Sequence, residues 1–151
     1  MIIRNAQEED SLDILNWRND YDSYTMSLSN KKVDPKDHEK WFINSLKDPN
    51  RKIFIGIMEK IKIGVCRFDY DKNQNFSEVS INLNPDMRGK GLSYKLLNNS
   101  IEIYKKHNSS TLKAIINKRN IASIKLFEKC NFIKVNVNEK FLFYSRESYL
   151  E

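Results

Sequence analysis

A chain of 151 residues that is 40% apolar, with eight Phe, seven Tyr and two Trp, suffices for one packed domain spanning 1–151 and excludes a disordered chain. Its net charge of +6 arises from 26 basic residues scattered among 20 acidic ones, with no basic run. That pattern argues against a nucleic-acid-binding arm and leaves room for a small anionic ligand. No apolar segment approaches the ~20 residues of a membrane span and no signal peptide is seen, so a soluble cytoplasmic protein is expected.

Residues 1–5 read as a starter or edge strand. Residues 8–17 place Leu12, Ile14, Leu15 and Trp17 partly at helical spacing, with Asp10 or Ser11 as a cap. Residues 21–34 show no period and read as a loop whose aromatics suit the lining of a site. Asp34-Pro35 opens a second helix with Trp41, Phe42 and Leu46 on its apolar side, and Asp48-Pro49-Asn50 ends it. Residues 52–58, 61–70 and 77–83 then read as three antiparallel strands. A third helix covers 92–107, with Leu92, Leu96, Leu97, Ile101 and Tyr104 in one stripe. A strand at 111–116, a short helix at 120–130 and a closing hairpin of 132–137 with 141–145 complete the chain. The order β-α-α-β-β-β-α-β-α-β-β predicts an α+β fold with a mixed sheet of about seven strands. One parallel pair lies at its centre and helices cover both faces.

The chemistry-bearing stretch is Met87-Arg88-Gly89-Lys90-Gly91-Leu92-Ser93, between the third strand of the meander and a helix. It holds two of the four glycines. Glycine lets backbone amides approach a ligand, and amides at a helix N-terminus favour an anion. Arg88 and Lys90 add positive charge. The stretch lacks the spacer and Lys-Ser/Thr ending of a P-loop and the three-glycine spacing of a dinucleotide fingerprint. His38 and His107 are the two histidines, and Phe42 stands where a zinc motif starting at His38 needs its second His, so no metal site is expected. Cys66 and Cys130 make no metal or redox spacing.

Arg88-x-x-Gly91-x-Ser93 after a strand, followed by Asn120-x-x-Ser123-x-x-x-Phe127 and the closing Asn131-Phe132, resembles the GNAT (Gcn5-related) N-acetyltransferase family. The element order matches over about Ile2 to Ser145. The resemblance implies that acetyl-CoA lays its pyrophosphate on the amides of Arg88, Gly89, Lys90, Gly91, Leu92 and Ser93, with Met87 as a further cofactor-binding residue. Its pantetheine arm would pair with the backbone of Ile81 to Leu83, and Asn120, with Ser123 and Phe127 nearby, would hold the arm further along. Glu78 takes the position of the family's frequent glutamate base. Three departures stand out. Ser93 stands where the family usually has Gly or Ala, and is small enough for phosphate binding to survive. Phe127 occupies the place where many members carry a Tyr that protonates the leaving thiolate, and Asn131 replaces the usual Gly, a residue that tolerates a left-handed turn.

Trp17-Arg18-Asn19 and His38-x-x-Trp41-Phe42 resemble the GNAT branch that acetylates nucleotide-linked amino sugars, of the pseudaminic acid type. That likeness implies an acceptor site of Arg18, Asn19, Tyr24, His38 and Trp41, with Arg18 on a diphosphate and an aromatic ring on a base or sugar. Trp17, Trp41 and Phe42 are equally readable as core anchors of two helices. The expected acceptor is the 4-amino group of a UDP-linked amino sugar. The alternatives are a protein N-terminus, a polyamine, an antibiotic amine, or a non-catalytic acyl-CoA-binding module. A homodimer is compatible with this reading.

Overall fold

The structure, a computed structural model, describes residues 1–147; the end of the expected domain, 148–151, lies outside the described residues. Strand β1 (Ile2–Asn5) enters one edge of the sheet, followed by a 3-10 turn (Glu8–Asp10) and helix α1 (Ser11–Arg18). The stretch expected to be a loop contains a short helix, α2 (Tyr21–Thr25), before α3 (Pro35–Lys47). Asp34 caps α3 by accepting the amides of Lys36 and Asp37, with Pro35 at the first helical position, as Pro's missing N–H permits. The meander is β2 (Arg51–Met58), β3 (Ile61–Asp71) and β4 (Phe76–Leu83). Helix α4 (Leu92–Tyr104), β5 (Thr111–Asn117), α5 (Ile121–Lys129), β6 (Ile133–Val137) and β7 (Phe141–Arg146) follow. α4 ends three residues before the boundary expected from its stripe, and residues 105–107 form a turn.

Seven strands form one sheet in the order β1-β2-β3-β4-β5-β7-β6, antiparallel except between β4 and β5. Alternation along the strands feeds two cores. Ile53, Ile55 and Val65 pack with Ile14, Trp17 and Phe42 of α1 and α3. Phe54, Cys66, Phe68 and Val79 pack on the opposite face with Leu96, Leu97 and Ile101 of α4 and Phe127 of α5. Trp17 and Phe42 are core residues, 5% and 0% exposed, whereas Trp41 is only partly buried. Asp10 stands at the N-cap position of α1 without capping it. Its carboxylate instead accepts the Gln7 amide and pairs with Arg4 and Lys62.

Candidate active site

β4 and β5 are joined by three residue pairs, Phe76 with Thr111, Ser77 with Leu112 and Glu78 with Lys113. The ladder stops there, although β4 runs on to Leu83 and β5 to Asn117. The strands diverge, and the wedge between them opens into a cavity of about 990 Å³ lined by residues 78–83 and 115–117. On its β5 side the main chain of 79–83 has no strand partner among the described residues, a row of donors and acceptors of the kind an extended ligand can pair with.

Residues 84–91 carry the chain from β4 into α4. Asn84 Oδ1 accepts the Asp86 amide at 3.0 Å and starts the turn. Gly89 and Gly91 have φ of 75° and 71°, and a Cβ on either would meet nothing within 4 Å. Glycine is thus demanded by backbone conformation and not by crowding. Gly91 is the N-cap of α4 and offers no side chain to its first amides, which have no acceptor inside the helix. Together with the positive end of the helix dipole they make an anion cradle beside the wedge. Gly89 and Ser93 line the cavity; Lys90 is exposed. The Arg88 guanidinium is engaged elsewhere. Its Nη2 lies 2.7 Å from Asp20 Oδ2 and 3.2 Å from Ser23 Oγ, and Nη1 lies 3.4 Å from Asp22 Oδ2. Its side chain ties the cradle to α2, and its main chain stays in the cradle.

Across the wedge Asn120 caps α5, its Oδ1 accepting the Ser123 amide at 3.1 Å. Asn120, Ser123 and Phe127 all line the cavity. Phe127 sits edge-on to Phe132 at 5.0 Å and brings no exchangeable proton to the wall. Asn131 adopts φ 70°, the left-handed turn its side chain tolerates.

Glu78 stands where the β4–β5 ladder ends, half-buried and directly across from Asp69 of β3. Burial, and then the Asp69 charge, push its carboxyl above the usual range, against a smaller opposing pull from Arg67. Arg18, His38 and Trp41 also line the cavity, whereas Asn19 and Tyr24 do not. Asn19 clamps the following loop, donating from Nδ2 to the Val33 carbonyl at 2.9 Å and accepting the Val33 amide at 2.7 Å. Tyr24 packs edge-on against Tyr21 at 5.6 Å. His38 Nε2 is 3.0 Å from the Ser11 carbonyl, which can only accept, so that nitrogen carries the proton. Burial lowers its pKa.

Sequence reasoning missed Arg67 and Arg119, both in the cavity wall. Arg67 Nε donates to Asp69 Oδ2 at 3.0 Å and its guanidinium lies 4.9 Å from the Trp41 ring centroid. Strand alternation held the signal: Arg67 and Asp69 share a face, paired with Ser80 and Glu78 across β4. Cys66 and Cys130 are buried free thiols, pushed up to about 12 and about 11 by desolvation. Among the described residues no cluster of three or more His, Cys, Asp or Glu could hold a metal ion, and no helix is long and apolar enough to cross a membrane.

A strand pair parts beside a glycine-bearing helix N-terminus, and sequence comparison gives the family of the fold that carries them. The Acetyltransferase (GNAT) domain model matches residues 1–133, and the chain belongs to the GNAT acetyltransferase family, which uses acetyl-CoA as donor. No protein of curated function matches it in sequence. Among solved structures, an N-acetyltransferase from Staphylococcus aureus Mu50 is 27% identical, with a TM-score of 0.78 over 97% of this chain and 98% of that one. A ribosomal-protein-alanine N-acetyltransferase from Brucella melitensis is 23% identical (TM-score 0.81, 97% and 99% covered). Spermidine N-acetyltransferase from Vibrio cholerae, solved with CoA and spermine, is 16% identical (TM-score 0.85, 97% and 95% covered). These last two share the fold.

Proposed function

We propose that the protein moves the acetyl group of acetyl-CoA to the 4-amino group of a nucleotide-activated amino sugar, with Glu78 as general base. The observation that carries the reading is the position of Glu78, a half-buried carboxylate with a raised pKa at the point where the sheet opens. The pyrophosphate rests on the amides of 88–93 and the pantetheine arm pairs with the free edge of β4 near Ile81 and Leu83. The ammonium form of the acceptor passes a proton to Glu78, directly or through water. The amine then attacks the thioester carbonyl, and a backbone amide near Leu83 steadies the oxyanion. Collapse breaks the C–S bond, and the new amide nitrogen releases its remaining extra proton to water. Phe127 has no proton to give, so the thiolate leaves unassisted or takes one from water.

Arg18 and Trp41 in the cavity wall favour a nucleotide-linked sugar over a simple amine. Structures with the same fold are named for spermidine and for ribosomal-protein alanine, and those amines are the rival acceptors. The reading includes a cytoplasmic location and pairing of two copies, the latter checked by light scattering.

Glu78→Gln is expected to cut turnover by roughly a hundredfold or more while acetyl-CoA affinity stays within about twofold of wild type. Unchanged turnover across the pH profile would remove Glu78 from the mechanism.

A further inference from the structure

Resting on that reading, we propose that Arg67 and Arg18 together form the phosphate-binding pair of the acceptor site, which selects phosphate-bearing amines and refuses polyamines. Both arginines line the cavity, as does Trp41, over whose ring Arg67 lies. Among the described residues Arg18 has no carboxylate partner; its hydrogen bonds go to the Lys31 carbonyl and Ser29 Oγ, each at 3.3 Å. Burial, then the nearby Arg67 charge, makes its guanidinium easier to deprotonate than usual. A half-buried cation facing a second cation is costly unless an anion completes the group.

Arg67 is held ready for that anion. Asp69 takes its Nε at 3.0 Å and Trp41 lies 4.9 Å away, so one edge and one face are fixed. Its Nη groups donate to no acceptor among the described residues, and a guanidinium fork fits a phosphate in the plane. Opposite Arg67 on β4, the Ser80 hydroxyl is sealed from solvent without a hydrogen-bond partner among the described residues, and Ser80 lines the same cavity. Asp22, Asp37 and Glu78 line the cavity, Asp22 lies 3.4 Å from the Arg88 guanidinium, and Asp69 holds Arg67 from β3. Asp69 is already shared by Arg67 and by Arg51, whose Nε is 3.2 Å from Oδ1, and Glu78 serves the amine. The added ammonium groups of a polyamine would face two guanidiniums, with the exposed Asp37 as the carboxylate left to meet them.

The test compares matched acceptors at pH 8: a UDP-linked 4-amino sugar and its free sugar, glucosamine 6-phosphate and glucosamine, a carboxylate-bearing amino sugar, and spermidine. For wild type, each phosphate-bearing amine is expected to exceed its phosphate-free partner in kcat/KM, and UDP is expected to inhibit competitively with the acceptor. Arg67→Gln should lose roughly ten- to a hundredfold in kcat/KM on the phosphate-bearing amines alone, through KM, with acetyl-CoA KM unchanged. Arg67→Lys should recover part of the loss. Equal losses on charged and uncharged acceptors, a wild-type preference for spermidine or the carboxylate amine, or no inhibition by UDP would overturn the pair. Arg67-dependent use of glucosamine 6-phosphate without use of the UDP-sugar would remove the nucleotide reading and keep the pair. Use of the UDP-sugar by Arg67→Gln at the wild-type rate would do the reverse. Should Arg67→Gln fail to fold, the wild-type selectivity and the UDP inhibition decide.

Discussion

Asp10 has no exposed surface yet carries a charge, held by Arg4 and Lys62 at 2.7 Å each and by the Gln7 amide at 2.8 Å. These hydrogen bonds outweigh burial and hold its carboxyl well below the usual range. A depressed folded pKa means that the stabilisation is present above the unfolded value of about 3.9 and is lost as pH falls towards the folded one. Asp10→Asn should cost about 2–3 kcal/mol in urea melts at pH 7, with the difference shrinking below about pH 4. A midpoint equal to wild type at pH 7 would contradict the assignment. Glu78 has the opposite sign. Its raised pKa places the acid limb of kcat/KM above the ordinary carboxylate range, and because Arg67 pulls that pKa down, Arg67→Gln should move the limb to higher pH. In the sequence Asp10 reads as a helix cap, since a local pattern shows Ser, Asp and helical spacing but not a lysine arriving from a distant strand. Strand alternation places Arg67 on one face with Asp69, but which residues stand across from that face on β4 is not a local pattern.

Three of the four glycines bear directly on α4, Gly91 as its N-cap and the other two from the sheet beneath it. Gly56 and Gly64 face each other across β2 and β3, and a Cβ on them would come 2.7 and 2.9 Å from Leu96 of that helix. At Gly64 it would also lie 2.6 Å from the Asn82 carbonyl oxygen, a backbone atom that cannot step aside alone. Gly64→Ala should therefore destabilise by about 1–3 kcal/mol and, by shifting residues 82–83, weaken acetyl-CoA binding as well. Calorimetry on the folded variant checks the second effect, which full wild-type affinity would refute. Gly91→Ala meets no atom but keeps the left-handed strain, so its cost should be only about 1–2 kcal/mol. The cradle and the stripe of α4 were legible because both are local patterns. α2 was not, since five residues are too few to show a period, and its docking depends on Arg88 meeting Asp20 from far along the chain.

Across the whole molecule, the element order carried the topology: a meander, a helix crossover and a closing hairpin leave few ways to arrange seven strands. The opening of the sheet was illegible without the family resemblance. Alternation in 79–83 and 112–116 looks the same whether the strands are paired or apart. Within the sheet, β1–β4 and β5–β7 form two plates stitched by three ladder pairs at one end and backed by a shared core. The far end is an unzipped seam, where β4 has room for a strand that the described residues do not supply. Under the proposed binding mode the pantetheine arm fills that place, so the donor acts as an eighth strand laid into the gap. Hydrogen exchange would register it amide by amide: CoA should slow exchange along 79–83 as well as 88–93, whereas adenosine 3′,5′-bisphosphate, which has no arm, should protect only the cradle. Protection confined to 88–93 with both ligands would mean that the arm lies elsewhere and the seam stays open through the reaction.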